Sequence, residues 1–133
     1  MRTVFLDTVG LIAIWERADQ WHGAASSAFG SLLQAGATFV TTPQILPETG
    51  NASARRPCRA DVAHLRRELL AGGDLIAATP QEEEAAWAAF ERGEAGQAGI
   101  VDHISFAVMR RLGLIQAFTN DAHFRAAGFE TLF

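Results

Sequence analysis

Apolar positions along the chain follow two alternating rhythms. Short continuous apolar runs suit buried strands, and longer stretches with apolar residues three or four apart suit helices. Residues 2–6 predict a first strand, 37–41 (Ala-Thr-Phe-Val-Thr) a second, and Leu75-Ile76-Ala77-Ala78 a short third. Leu114 to Thr119 predicts another, and 129–133 an edge strand. Helices are predicted over 8–17, with Thr8 as N-cap, and over 20–35, ending at Gly36. Another begins near Thr42-Pro43 with proline at the first helical position, and Pro47 then predicts a kink or a late start. Residues 57–71 place Val62, Leu65 and Leu69 on one helical face before Gly72-Gly73. Thr79 and Glu82 are spaced as a capping box, and a helix over 100–112 stops at Gly113. The glycine-spaced segment from Gly93 to Gly99 predicts a mobile loop. The alternation is that of an α/β fold, an open parallel sheet of about five strands with helices on both faces.

Composition narrows this picture. A chain of 133 residues with 49% hydrophobic and 20% charged residues suits one domain with a sizeable core. No apolar run approaches the ~20 residues that span a bilayer. The start, Met1-Arg2-Thr3-Val4-Phe5-Leu6-Asp7, makes a poor signal peptide and a good strand, and the lone Cys58 cannot form an internal disulfide. A cytoplasmic protein with no membrane partner is expected. The net charge of −4 argues against a general nucleic-acid coat but not against an enzyme acting on nucleic acid. All 11 basic residues are arginine. Without lysine the chain can be neither a receiver domain nor a P-loop nucleotide binder, and Val9 stands where a haloacid-type phosphatase needs its second aspartate.

Most of the 15 acids have ordinary explanations. Glu82, Glu83 and Glu84 favour a helix dipole, and Glu16, Asp19, Glu68, Glu91 and Glu130 suit solvated faces. Four others fall differently. Asp7 and Asp121 each follow an apolar strand at its carboxyl end, where open parallel sheets bind ligands. Asp102 lies in the first turn of the helix leading to the strand before Asp121, and Glu48 lies one to two turns into the helix after the second strand. Singly, each also reads as a cap, a dipole partner or a surface acid. Together they could converge at one sheet edge, where like charges would repel unless a divalent cation intervened. All-oxygen ligation suits Mg²⁺ or Mn²⁺, one or two ions, and such a site can drive in-line displacement at phosphorus.

The motifs also resemble the PIN-domain family, especially VapC-like toxin ribonucleases of bacterial toxin–antitoxin pairs. The resemblance runs through Val4-Phe5-Leu6-Asp7-Thr8, Trp21-His22, and Thr41-Thr42-Pro43 leading to Glu48-Thr49-Gly50-Asn51-Ala52. It is most specific in Val101-Asp102-His103-Ile104-Ser105-Phe106-Ala107-Val108-Met109 and Ala117-Phe118-Thr119-Asn120-Asp121-Ala122-His123-Phe124, then Ala127-Gly128-Phe129. It implies a single PIN-like domain over 1–133 and a metal-dependent endoribonuclease with Asp7, Glu48, Asp102 and Asp121 as catalytic, metal-binding acids. It further implies an RNA substrate, a cognate antitoxin and a homodimer. Pro47 before Glu48, Gly99 and Val101 before Asp102, and Asn120 before Asp121 depart from the family's usual pattern.

Around the acids, Thr8, Asn51, Ser105 and Thr119 are candidates for tuning the site, against ordinary capping and helix back-bonding. Arg55, Arg56 and Arg59, with Arg66 and Arg67, concentrate guanidinium groups that suit RNA phosphates, against a solvated helical face or a partner contact. His22, His64, His103 and His123 lack zinc spacing and are read as structural, although His103 and His123 adjoin the acids. Trp15, Trp21, Phe5, Phe39, Phe106, Phe118 and Phe124 are read as core. Two other functions stay open: a PIN-like module that binds RNA or a partner with weak or no catalysis, and a nuclease outside toxin biology.

Overall fold

The computed structural model describes residues 2–133. Strands β1 (Thr3–Leu6), β2 (Thr38–Val40), β3 (Gln116–Phe118) and β4 (Glu130–Thr131) form one sheet in the order β2-β1-β3-β4, with every pairing parallel. Successive side chains of a strand point to opposite faces, yet Val4, Phe5 and Leu6 are all buried, so both faces of the sheet are covered. The helices that cover them are α1 (Thr8–Trp15), α2 (His22–Gln34), α3 (Ile45–Ala52), α4 (Arg59–Gly72), α5 (Pro80–Glu91), α6 (Glu94–Gln97), α7 (Ile100–Leu112) and α8 (Ala122–Ala126). The core gathers Phe5, Leu11, Ile45, Phe106, Met109, Phe118 and Phe124 around the central strands.

Among the described residues the sheet has four strands where about five were expected. Leu75 makes only a single parallel bridge to Thr41 beside β2. The run cannot extend far, because Arg111 Nη2 takes the carbonyl of Ala77 at 2.8 Å and the Thr79–Glu82 capping box starts α5 directly afterwards. That box forms in full, with Pro80 in the first turn.

Helix α3 starts late, as Pro47 requires. Pro43 lies in the turn before the helix rather than at its first position, and Pro47 becomes the third helical residue, where no intrahelical donor is needed. Thr8 does not cap α1; Asp7 occupies that position without a side-chain capping bond, its Oδ2 accepting from Thr119 instead. Trp21 is 45% exposed and leaves the predicted core, whereas Trp15 packs against it.

Two backbone features position the site. Gly10 brings α1 so close to β3 that a Cβ there would lie 2.0 Å from the Phe118 carbonyl oxygen. The Gly93–Gly99 segment is not an open loop. Ala95, Gly96 and Gln97 take left-handed φ values of +54°, +66° and +61° in succession, and Ala98 is buried in the core.

Candidate metal centre

The carboxyl ends of β1 and β3 lie side by side, and the next residues in register are Asp7 and Thr119. The Thr119 hydroxyl donates to Asp7 Oδ2 at 2.8 Å and accepts the Asp121 backbone N–H at 3.1 Å. One side chain thereby ties two strand-end aspartates together. Asp121 caps α8, its Oδ1 accepting the His123 N–H at 2.9 Å. Gly99 caps α7, which places Asp102 in that helix's first turn, and Glu48 sits in the first turn of α3. Asp7, Glu48, Asp102 and Asp121 line one cleft of about 360 Å³, together with Thr8, Val9, Gly99, Ile100 and Val101.

The electrostatics are those of an uncompensated cluster. Asp7 is 1% exposed, and its pKa is pushed up to about 7, first by burial and then by the charges of Asp102, Asp121 and Glu48, against the Thr119 hydrogen bond. Asp102 rises to about 6 through burial, then Asp121 and Glu48, with His123 opposing. Asp7 Oδ1 is buried without a hydrogen-bond partner. A buried carboxylate oxygen left unpaired beside three further acids is costly for the protein alone and fits a divalent cation with oxygen ligands. One ligand atom each from Asp102, Asp121 and His123 already lies within 4.8 Å of the other two.

Of the candidates for tuning the site, Thr119 bonds to both Asp7 and Asp121, and Thr8 lines the cleft. The Thr49 hydroxyl donates to Ile45 O, so in the 2.9 Å contact between Thr8 and Thr49 it is Thr8 that donates, joining α1 to α3. Ser105 does not reach the acids, because its hydroxyl back-bonds to Val101 O at 3.0 Å. Asn51 is exposed and does not line the cleft. Arg55 and Arg56 are exposed on the turn after α3, the Glu48 helix. Arg59 instead lines a larger apolar groove of about 790 Å³ with Leu46, Pro47, Val62 and Arg66.

Three histidines make contacts away from the cleft carboxylates. His22 Nδ1 lies 2.9 Å from Ala13 O, and His64 pairs with Glu68. His103 packs edge-on to Phe106, its pKa lowered first by burial. His123 departs from that pattern: Nδ1 lies 3.2 Å from Asp121 Oδ1 and 3.7 Å from Asp102 Oδ2. The signal in the sequence is its position two residues after a strand-end aspartate, where a capping turn folds the chain back over the carboxylate.

A family model described as PIN domain matches residues 4–130. The chain belongs to the PIN-domain family. Among PIN relatives, it is 34% identical over 128 residues to the 23S rRNA-specific endonuclease VapC20 of Mycobacterium tuberculosis, covering 95% of both chains. The crystal structure of VapC20, described as a sarcin-ricin loop cleaving toxin, superposes with a TM-score of 0.79 at 28% identity, over 96% of each chain. A Pyrobaculum aerophilum protein of known crystal structure shares the PIN fold at a TM-score of 0.54 and 20% identity, over 99% of this chain and 92% of its own. Among the described residues, no helix is long and apolar enough to cross a membrane.

Proposed function

We infer that this chain is a divalent-metal-dependent endoribonuclease of the VapC type, the toxin of a toxin–antitoxin pair, acting as one PIN-like domain. The observation that carries this reading is the cleft itself, where four carboxylates converge and the deepest keeps an unpaired oxygen. Asp7, Glu48, Asp102 and Asp121 are the proposed ligands of Mg²⁺ or Mn²⁺. When bound, such an ion neutralises the cluster, lowers the pKa of a ligated water and offsets charge developing at phosphorus. The protein's own contribution is positional. Thr119 holds Asp7 and Asp121 in register, Thr8 pins α1 to the Glu48 helix, and the α7 N-terminus presents Asp102. A non-catalytic RNA-binding module gains nothing from a buried, unpaired carboxylate.

The identity to VapC20 along almost the whole chain supports structured ribosomal RNA of the sarcin-ricin type as substrate. Arg55 and Arg56, exposed beyond the Glu48 helix, are the proposed phosphate contacts, with Arg59 further out along the groove. A cognate antitoxin, a homodimer and a cytoplasmic setting complete the reading. The deciding experiment incubates the purified protein with a 23S rRNA fragment, with Mg²⁺, with Mn²⁺ and with a chelator, beside Asp7→Asn and Asp102→Asn. Cutting should require the metal and vanish in both variants. Cutting that survives chelation, or both substitutions, overturns the mechanism.

A further inference from the structure

Beside the cleft, an imidazole nitrogen stands within reach of two of its carboxylates. We propose that His123 ligates the divalent cation through Nδ1, beside Asp102 and Asp121, so that the centre has a mixed oxygen–nitrogen donor set and favours Mn²⁺ over Mg²⁺. This inference rests on the reading of the cleft as a divalent-metal centre.

Local backbone geometry aims the ring. Asp121 Oδ1 accepts the His123 backbone N–H at 2.9 Å, and that turn folds the imidazole back over the carboxylate it started from. Nδ1 then lies 3.2 Å from Asp121 Oδ1 and 3.7 Å from Asp102 Oδ2. Ligands about 2.0–2.2 Å from a common ion stand roughly 3–4 Å apart, the range these atoms occupy. The left-handed turn of α6 meets the ring from outside: at Gly96, with φ +66°, an added Cβ would sit 3.6 Å from His123 Cδ2. The neighbouring Phe124 is fully buried, which anchors α8 beneath the ring. A neutral imidazole with its proton on Nε2 presents a lone pair at Nδ1, the atom that faces the two aspartates here.

An ion pair between His123 and the two aspartates is the simpler account, but it leaves the site unfinished. His123 reaches Asp102 and Asp121, whereas Asp7 Oδ1, buried in the same cleft, still has no partner. A cation among Asp102, Asp121 and His123 instead offsets the charge that all four acids bring to the cleft. Imidazole is a good ligand for transition metals, and Mg²⁺ prefers oxygen throughout, so a nitrogen in the set shifts preference towards Mn²⁺.

The test uses the full chain, stripped of metal, and titrates Mn²⁺ and Mg²⁺ separately into the unmodified protein and His123→Gln. Affinity is read by calorimetry, and metal-free melting curves check the fold. Pulsed electron paramagnetic resonance of the Mn²⁺-loaded protein reads nitrogen coupling directly. Labelling the unmodified protein with ¹⁵N-histidine shows a histidine ligand even if the variant fails to fold, and His123 is the histidine placed against Asp102 and Asp121. We expect imidazole coupling that changes with the label and disappears in His123→Gln. Mn²⁺ affinity should fall about tenfold or more, with a smaller loss for Mg²⁺. Bound Mn²⁺ without nitrogen coupling, coupling that persists in His123→Gln, or an unchanged Mn²⁺-to-Mg²⁺ ratio overturns the assignment of His123 and leaves the metal centre standing. Failure of the folded, unmodified protein to bind Mn²⁺ at all overturns the metal centre itself.

Discussion

The two ends of the same parallel strands treat polar groups in opposite ways. At the amino ends, Arg2 donates to Gln116, Gln116 donates to Glu130, and the Thr3 and Thr38 hydroxyls meet at 2.9 Å. These contacts are exposed, mutually satisfied and interchangeable with water. At the carboxyl ends, Asp7 is buried, its neighbours carry the same charge, and one of its oxygens has no partner. Both ends belong to one sheet with one register, so the contrast owes nothing to the strands themselves. It shows where the fold tolerates electrostatic cost, and such tolerance marks a site kept for a ligand.

The comparison is most easily broken at the acidic end. Asp7→Asn should lower metal-dependent RNA cleavage by at least about 100-fold, the upper range for changes just outside a metal's ligand shell, as steady-state assays would show. The same substitution should stabilise the metal-free protein above pH 7, because it removes a buried charge. Loss of both activity and metal-free stability would mean that Asp7 is only structural.

Gly10→Ala tests the frame under the acids. A methyl group against the Phe118 carbonyl has no flexible neighbour to displace, so destabilisation of about 3 kcal/mol is expected from denaturant unfolding. An unchanged midpoint would show that α1 is free to lift away from β3.

Proton linkage sharpens the contrast further. Asp7, at about 7, and Asp102, at about 6, both sit above their usual value of 3.8 in the folded chain. Between about pH 4 and 7 the folded form therefore holds protons that the unfolded form has released. Metal-free stability should fall as pH rises through that window, by more than about 1 kcal/mol, since a tenfold difference in proton affinity between the two forms is worth about 1.4 kcal/mol. Denaturant titrations at pH 5 and pH 8 measure this, and saturating Mg²⁺ should recover the loss at pH 8. A flat profile would place the acids in water.

Arg2→Ala, at the other end, should change stability by less than about 0.5 kcal/mol and leave cleavage untouched, because exposed pairs contribute little. A large effect there would erase the distinction between the two ends.

The four acids are legible in the sequence because strand-end aspartates and helix-first-turn acids are fixed by topology, and apolar periodicity reveals topology. Residues whose role turns on a single hydroxyl or ring angle are less so. Ser105 and Thr119 look equally placed along the chain, yet a helix offers Ser105 the Val101 carbonyl, whereas Thr119 emerges at a strand end beside Asp7. The spacing of His123 from Asp121 is visible in the sequence, but the direction of its ring follows from a side-chain turn. The stretch from Gly93 to Gly99 folds against expectation because left-handed φ at Ala95 and Gln97 opposes their local preference, and only tertiary packing around Ala98 and His123 accounts for it. The fifth strand shrinks to one bridge because Arg111 captures the backbone at Ala77.

Thr119 has a wider consequence. Its hydroxyl spans from one strand to the next, so the separation of Asp7 and Asp121 is inherited from the spacing of neighbouring strands, about 4.8 Å in any sheet. The gauge of the proposed metal centre is thus built into the most invariant dimension the architecture has. Surface segments can change around it while the gauge between the two aspartates stays the same.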